Sequence, residues 1–251
     1  MQSIRFIPRC VCLMMLAACS CIPENEADQI VLKSIEAHGG WLEWQHAKHI
    51  TYSKTTLLFD STGQKESEIT QFHEYRLLLD FTGEIHWTNP DDGAGQRIVF
   101  DGKRAFRLKG NQEPADSLES ESAYNTILSS HFVLFQPWKL LDPGVTLIYE
   151  GRDTLEDNTV VDVVRALYGT KTEMEGQDRW WFYFDITSHM LVANMVNHDN
   201  RYSYIKNLKY DTSNRLILNH HRKSYFTDSL RNVKYLRAEY FYEDIRLKYG
   251  L

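Results

Sequence analysis

The chain has 251 residues and a formal net charge of −6, a length that suits one large all-β domain or two small ones. The acidic balance, with no basic cluster, argues against nucleic acid or an anionic headgroup surface as partner. Fourteen Tyr, twelve Phe and six Trp favour strands around a large core or an apolar ligand surface.

The first predicted element is a leader. Arg5 and Arg9 supply a positive n-region, Val11 to Ala18 an apolar run, and Leu16-Ala17-Ala18-Cys19 the small residues that precede a lipidated cysteine. A membrane-spanning helix needs about 20 apolar residues, and this run is far shorter. The expectation is a signal peptide over 1–18, a lipid anchor on Cys19, a tether over 19–26 and one domain over 27–251. Losing the leader removes two positive charges and shifts the formal charge from −6 to −8. All four cysteines lie between Cys10 and Cys21, so the domain must be held by packing without disulfides. The anchor predicts attachment to a cell-envelope membrane, and Ser20 after Cys19 is compatible, by resemblance to known lipoproteins, with the outer membrane.

A helical repeat follows at Ala27, Ile30, Val31, Ile35 and His38, with Asn25 as N-cap and Gly39-Gly40 as stop. Trp41 to Trp44 open a short second helix, after which the period changes to 2. In 72–81, His73, Tyr75, Leu77, Leu79 and Phe81 share one face of a strand. Asp101-Gly102 marks a hairpin, and Asp157-Asn158 and Ser213-Asn214 punctuate later strand pairs. Residues 119–141 return to a helical rhythm, with Pro137 expected to kink or end the helix. In 180–184, alternation sends Trp180, Phe182 and Phe184 to one face and Trp181 and Tyr183 to the other. Further strands are expected at 202–210, grouping Tyr202, Tyr204, Leu208 and Tyr210, and at 233–247, grouping Val233, Tyr235, Phe241, Ile245 and Leu247. The pattern predicts a mainly β fold: one curved antiparallel meander, with an N-terminal helix and a mid-chain helix covering its concave side.

Several motifs carry a family resemblance: His38-Gly39-Gly40 followed by Trp44, Phe135-Gln136-Pro137-Trp138, Gly144 through Tyr149-Glu150-Gly151, and Tyr183-Phe184-Asp185. With the leader and the meander, they resemble an uncharacterised family of Bacteroidota lipoproteins related to the half-barrel lipoprotein carriers LolA and LolB. The resemblance implies an incomplete barrel with helices over its open side, and an apolar concavity that holds acyl chains or another lipid.

Catalytic chemistry finds little support. His38, His46 and His49 lack the i, i+4 spacing of a zinc helix, and adjacent His220 and His221 point to opposite faces of a strand. Asp91-Asp92-Gly93 lacks the alternating oxygen ligands of a calcium loop, and there is no Gly-x-Ser-x-Gly elbow. Gly63, Gly83, Gly102 and Gly110 read as turn or bulge glycines. No catalytic residue, metal or cofactor is assigned. The expected function is a membrane-anchored, non-enzymatic lipoprotein that holds an acyl chain or lipid against Phe135, Trp138, Trp181 and Tyr183. The competing expectation is a structural or protein-interaction module whose concavity is filled by its own core, and an enzyme ranks third.

Overall fold

The computed structural model describes residues 25–77, 81–114, 118–168 and 178–250. The leader, Cys19 and Leu79 lie outside the described residues.

Helix α1 (Glu26–Ala37) starts where Asn25 Oδ1 accepts the Asp28 amide at 2.9 Å, the N-cap expected from sequence. It stops at Gly39, whose φ of +114° lies in the region that only glycine visits cheaply. A Cβ on Gly39 would also collide with the Arg215 carbonyl oxygen. The neighbouring His38 carbonyl accepts the Ile217 amide at 2.8 Å, pinning this turn to the sheet. Gly39→Ala is therefore expected to cost roughly 1–3 kcal/mol in backbone strain alone, seen as a lower urea midpoint at unchanged m-value. A short helix α2 (Trp41–His46) leads directly into the first strand.

Among the described residues, twelve strands form one antiparallel sheet: β1 (Ala47–Phe59), β2 (Lys65–Arg76), β3 (Thr82–Thr88), β4 (Gly95–Phe100), β5 (Ala105–Lys109), β6 (Val145–Thr154), β7 (Val160–Tyr168), β8 (Arg179–Asp185), β9 (Leu191–His198), β10 (Arg201–Asp211), β11 (Leu218–Thr227) and β12 (Val233–Tyr249). Their spatial order is β5-β4-β3-β2-β1-β12-β11-β10-β9-β8-β7-β6. Sequence neighbours pair throughout, except that β1 pairs with β12 in the middle of the sheet, and β5 and β6 are its two edge strands. The sheet is an open half-barrel, as expected. The Asp101-Gly102 turn forms, with Asp101 Oδ1 accepting the Lys103 and Arg104 amides at 2.9 and 2.8 Å. Asn158 supplies a positive φ between β6 and β7.

The chain between the two edges carries α3 (Glu121–Leu134) and α4 (Gln136–Lys139). The sequence predicted one helix here. Phe135, at φ −109° and ψ 29°, breaks it, and Pro137 sits in the first turn of α4, where its missing N–H costs nothing. The helices lie against one face of the sheet, here called the inner face. Val31 and Ile35 of α1, Ile127 of α3 and Trp138 of α4 share one core with Ile50, Tyr52, Tyr75, Ile85, Ile98, Phe182 and Ile245 of the strands.

Three sequence readings are corrected. Gly83 is neither a turn nor a bulge glycine: it lies within β3, where a Cβ would stand 2.8 Å from the Tyr75 ring and 3.0 Å from Ile127, so its bareness lets α3 approach. In β10, register shifts flanking Lys209 separate Tyr204, in an outer cluster, from Tyr210, which meets His38 at 5.9 Å on the inner side. In β12, Asp244 has a φ of +53° at a register shift against β1. Ala238 and Tyr242 before that bulge and Ile245 after it are the buried residues, while Phe241 stacks on His221. An inserted residue transfers all that follows to the other face, which simple alternation does not anticipate.

Candidate functional site

The chemistry-bearing side chains fall on two faces of the sheet. Strand β8 divides them: Phe182 and Phe184 join the inner core, while Tyr183 joins a smaller outer cluster with Val163, Ala193, Met195 and Tyr204, against which Trp181 packs.

Of the four predicted ligand contacts, Phe135 and Trp138 are on the inner side and are fully packed. Trp138 is 1% exposed, stacks on Trp44 with ring centroids 5.7 Å apart, and donates from Nε1 to the Gly40 carbonyl at 3.3 Å. Phe135 lies 4.7 Å from the Trp44 ring. The pair joins α4 to the α1–α2 turn. Trp181 and Tyr183 open instead onto an outer cleft of about 290 Å³. There Trp181 Nε1 donates to Glu150 at 2.9 Å, and the Arg231 guanidinium, paired with Asp153 at 2.6 Å, lies 5.1 Å over the Tyr183 ring. The sheet stands between the two pairs, so no single ligand touches all four.

The inner face keeps open space elsewhere. A cleft of about 260 Å³ lies where the α3–α4 junction crosses the middle strands. Val133 and Gln136 of the helices form one side, and Trp180, Val196, Ile205 and Tyr240 of the strands form the other. Trp180 is held by stacking on Phe182 at 6.0 Å and by the edge of Phe132 at 5.6 Å. Lys54 places its Nζ 5.1 Å over the Tyr240 ring, the arrangement of a cation–π contact.

Sequence reasoning missed the polar floor of this cleft. Arg222 of β11, 2% exposed, donates from Nε to Asn207 Oδ1 at 2.8 Å and from Nη2 to Asn194 Oδ1 at 2.5 Å and Gln136 Oε1 at 3.3 Å. Gln136 and Asn194 are also buried, and the amide nitrogens of both have no partner. In sequence, Arg222 sits in His221-Arg222-Lys223, and nothing in that run marks it as buried. The available signal was Gln136, a polar residue inside an otherwise apolar Phe135-Gln136-Pro137-Trp138 motif.

The histidines raised as metal candidates have separate environments. His38 is buried against Trp138, its Nδ1 2.8 Å from the Ser34 carbonyl, while His49 pairs with Glu74 at 2.7 Å. Two more are deep in the inner core. His73 stacks on Tyr52 at 4.5 Å with its Nδ1 3.1 Å from the Tyr75 hydroxyl, and His131 lies among Tyr75, Phe81 and Phe135. Burial lowers the pKa of His38 to about 4 and of His131 to about 3, and drives that of His73 well below the usual range. Among the described residues, no group of three or more His, Cys, Asp and Glu is placed to hold a metal. No helix among them is long and apolar enough to cross a membrane.

No family model matches the chain, and no curated protein matches it significantly. Solved structures do. A LolA superfamily protein from Nitrosomonas europaea superposes with a TM-score of 0.55 at 11% identity, covering 90% of this chain and 94% of its own. A candidate outer membrane lipoprotein-sorting protein domain from Vibrio parahaemolyticus gives 0.53 at 12%, covering 89% and 92%. A DUF1329 family protein from Desulfovibrio piger gives 0.57 at 8%, covering 90% and 94%. At these identities the likeness is one of fold, and the fold is the LolA-like open half-barrel.

Proposed function

We propose that this chain is a membrane-anchored lipoprotein of the cell envelope that holds an acyl chain or another lipid, without catalysis, between its open sheet and its covering helices. The observation that carries the reading is the inner cleft, walled by Trp180, Val196, Ile205 and Tyr240 and roofed by the α3–α4 junction. Burying a chain of about a dozen methylenes at about 0.8 kcal/mol each is enough to offset substantial ordering costs. At about 260 Å³ the cleft is near the lower limit of ordinary ligand sites, about 300–1,000 Å³, which favours one chain over a multi-chain lipid. The fold shared with a LolA superfamily protein and with a candidate lipoprotein-sorting domain supports a carrier type of binding and an outer-membrane setting. In this reading Cys19 carries the anchor, the tether runs from it to the Asn25 cap of α1, and the chain from there on is the holding domain, which acts only within reach of its membrane.

Protein purified without detergent is expected to retain extractable lipid, visible as a mass increment in native mass spectrometry. A consistently ligand-free protein would refute the reading. A second reading, a protein-interaction module, is favoured by one feature: Phe135 and Trp138 fill the inner face with the chain's own side chains, and an aromatic cleft lined by Trp181, Tyr183 and Tyr202 faces outward. Under that reading Trp181→Ala weakens capture of a partner and leaves lipid content unchanged.

A further inference from the structure

Arg222 is a buried cation whose three acceptors are all neutral side-chain amides: Asn207, Asn194 and Gln136. Its neighbours His221 and Lys223 both take Glu239, at 2.7 and 3.3 Å, on the opposite face of the strand. Arg222 itself forms no ion pair among the described residues. A buried charge without a counter-ion is costly to maintain. The surrounding groups deepen the imbalance. Gln136 and Asn194 spend their oxygens on Arg222, so their NH₂ groups are left buried and unbonded. Both residues line the inner cleft with Arg222, Ser224 and Lys54, and no Asp or Glu lines it. The floor is therefore rich in donors and carries two cations in a chain whose net charge is −6. Water can satisfy the donors, but it leaves the charge uncompensated.

A planar guanidinium flanked by two amide NH₂ groups matches the oxygens of a carboxylate or phosphate. The apolar side of the same cleft, with Trp180, Ile205 and Tyr240, suits a hydrocarbon. We infer that Arg222, Gln136 and Asn194, with Lys54 beside them, bind the oxyanion head of a single-chain amphiphile whose tail lies along Trp180. This rests on the apolar-ligand reading above and specifies the ligand class within it.

The test measures binding to the full processed protein by isothermal titration at neutral pH, using dodecanoate, dodecyl phosphate, 1-dodecanol, acetate and inorganic phosphate. The two charged amphiphiles are expected to bind at least tenfold more tightly than dodecanol, and acetate and phosphate to bind far more weakly than either. Which charged amphiphile binds tighter tells a carboxylate from a phosphate source. Arg222→Gln is expected to abolish the preference for the charged amphiphiles over dodecanol. Lys54→Met, at the half-buried rim of the cleft, is expected to reduce it severalfold in a protein whose core is untouched. The wild-type comparison of dodecanoate with dodecanol stands even if Arg222→Gln does not fold. Equal affinity for dodecanoate and dodecanol, or a preference that survives Arg222→Gln, overturns the oxyanion site and leaves the apolar-ligand reading standing. Binding of inorganic phosphate or acetate as tight as that of the charged amphiphiles overturns the amphiphile class. Failure of all three twelve-carbon probes overturns the apolar-ligand reading itself.

Discussion

Trp138→Ala is expected to lower the unfolding free energy by about 3–5 kcal/mol, the range for deleting a large aromatic from a packed core. Three losses combine at this position. The ring is 1% exposed, so its whole apolar area and the cavity behind it count. Its stack with Trp44 at 5.7 Å and its edge contact with His38 at 6.0 Å disappear. The Gly40 carbonyl loses one of its two donors, Trp138 Nε1 at 3.3 Å, and keeps the Trp44 amide at 3.4 Å. Since domains are stable by only about 5–15 kcal/mol, the variant should show a much lower urea midpoint by circular dichroism. Its lipid content is the more informative readout. Trp138 sits in the joint between α4 and the α1–α2 turn and is not among the residues lining the inner cleft, so the folded fraction should keep its ligand. Lipid loss with unchanged stability would place the ligand against Trp138 instead.

The second large effect is acid lability. His38, His73 and His131 are held neutral in the fold, chiefly because burial penalises their charged forms. In the unfolded chain they titrate near 6.5. Below that value the unfolded state binds protons that the folded state refuses, so stability falls as pH falls and is fully regained only above about 7. For His38 the loss continues down to its folded pKa of about 4 and for His131 down to about 3. His38 alone accounts for about 3 kcal/mol at one pKa unit per 1.36 kcal/mol. Urea midpoints measured from pH 7.5 to 4 should drop steadily, with proton uptake on unfolding at pH 5. A flat profile between pH 6.5 and 4.5 would refute the claim. His131→Phe should remove one proton from that uptake, because its neighbours Phe81 and Phe135, at 4.8 and 5.1 Å, already form an aromatic setting.

What the sequence made legible was local. The Asn25 cap, the Gly39 stop, the Asp101-Gly102 turn and the alternation along β8 each depend on residues within a few positions of one another. The antiparallel meander followed from the spacing of such signals, while the openness of the sheet was implied by the family resemblance. Legibility failed where one residue changes the phase, at Lys209 in β10 and Asp244 in β12, because nothing about either side chain announces a bulge. It failed again for Gly83, whose role depends on Tyr75 and on Ile127, a residue of a distant helix. The candidate site suffered most. Alternation separated Trp181 and Tyr183 from Phe182, but only the position of α3 and α4 decides which of those faces is covered. Arg222, Gln136 and Asn194 come from three distant segments of the chain, and only Gln136, inside its motif, stands out locally.

The pairing of β1 with β12 sets the order of events during synthesis. Strands β1–β5 can zip up as hairpins as soon as they are made, and so can β6–β11, but the two halves stay unjoined until Val233–Tyr249 has emerged. Until then β1 and β11 each present an unpaired edge, the surface most prone to pairing with another chain. The contact that joins the two halves of the sheet spans nearly the full sequence, which makes the last step slow. Without β12 the two half-sheets would be bridged only through the helices that share their core, with both edges left open, which makes the C-terminal strand one whose loss exposes this chain to aggregation.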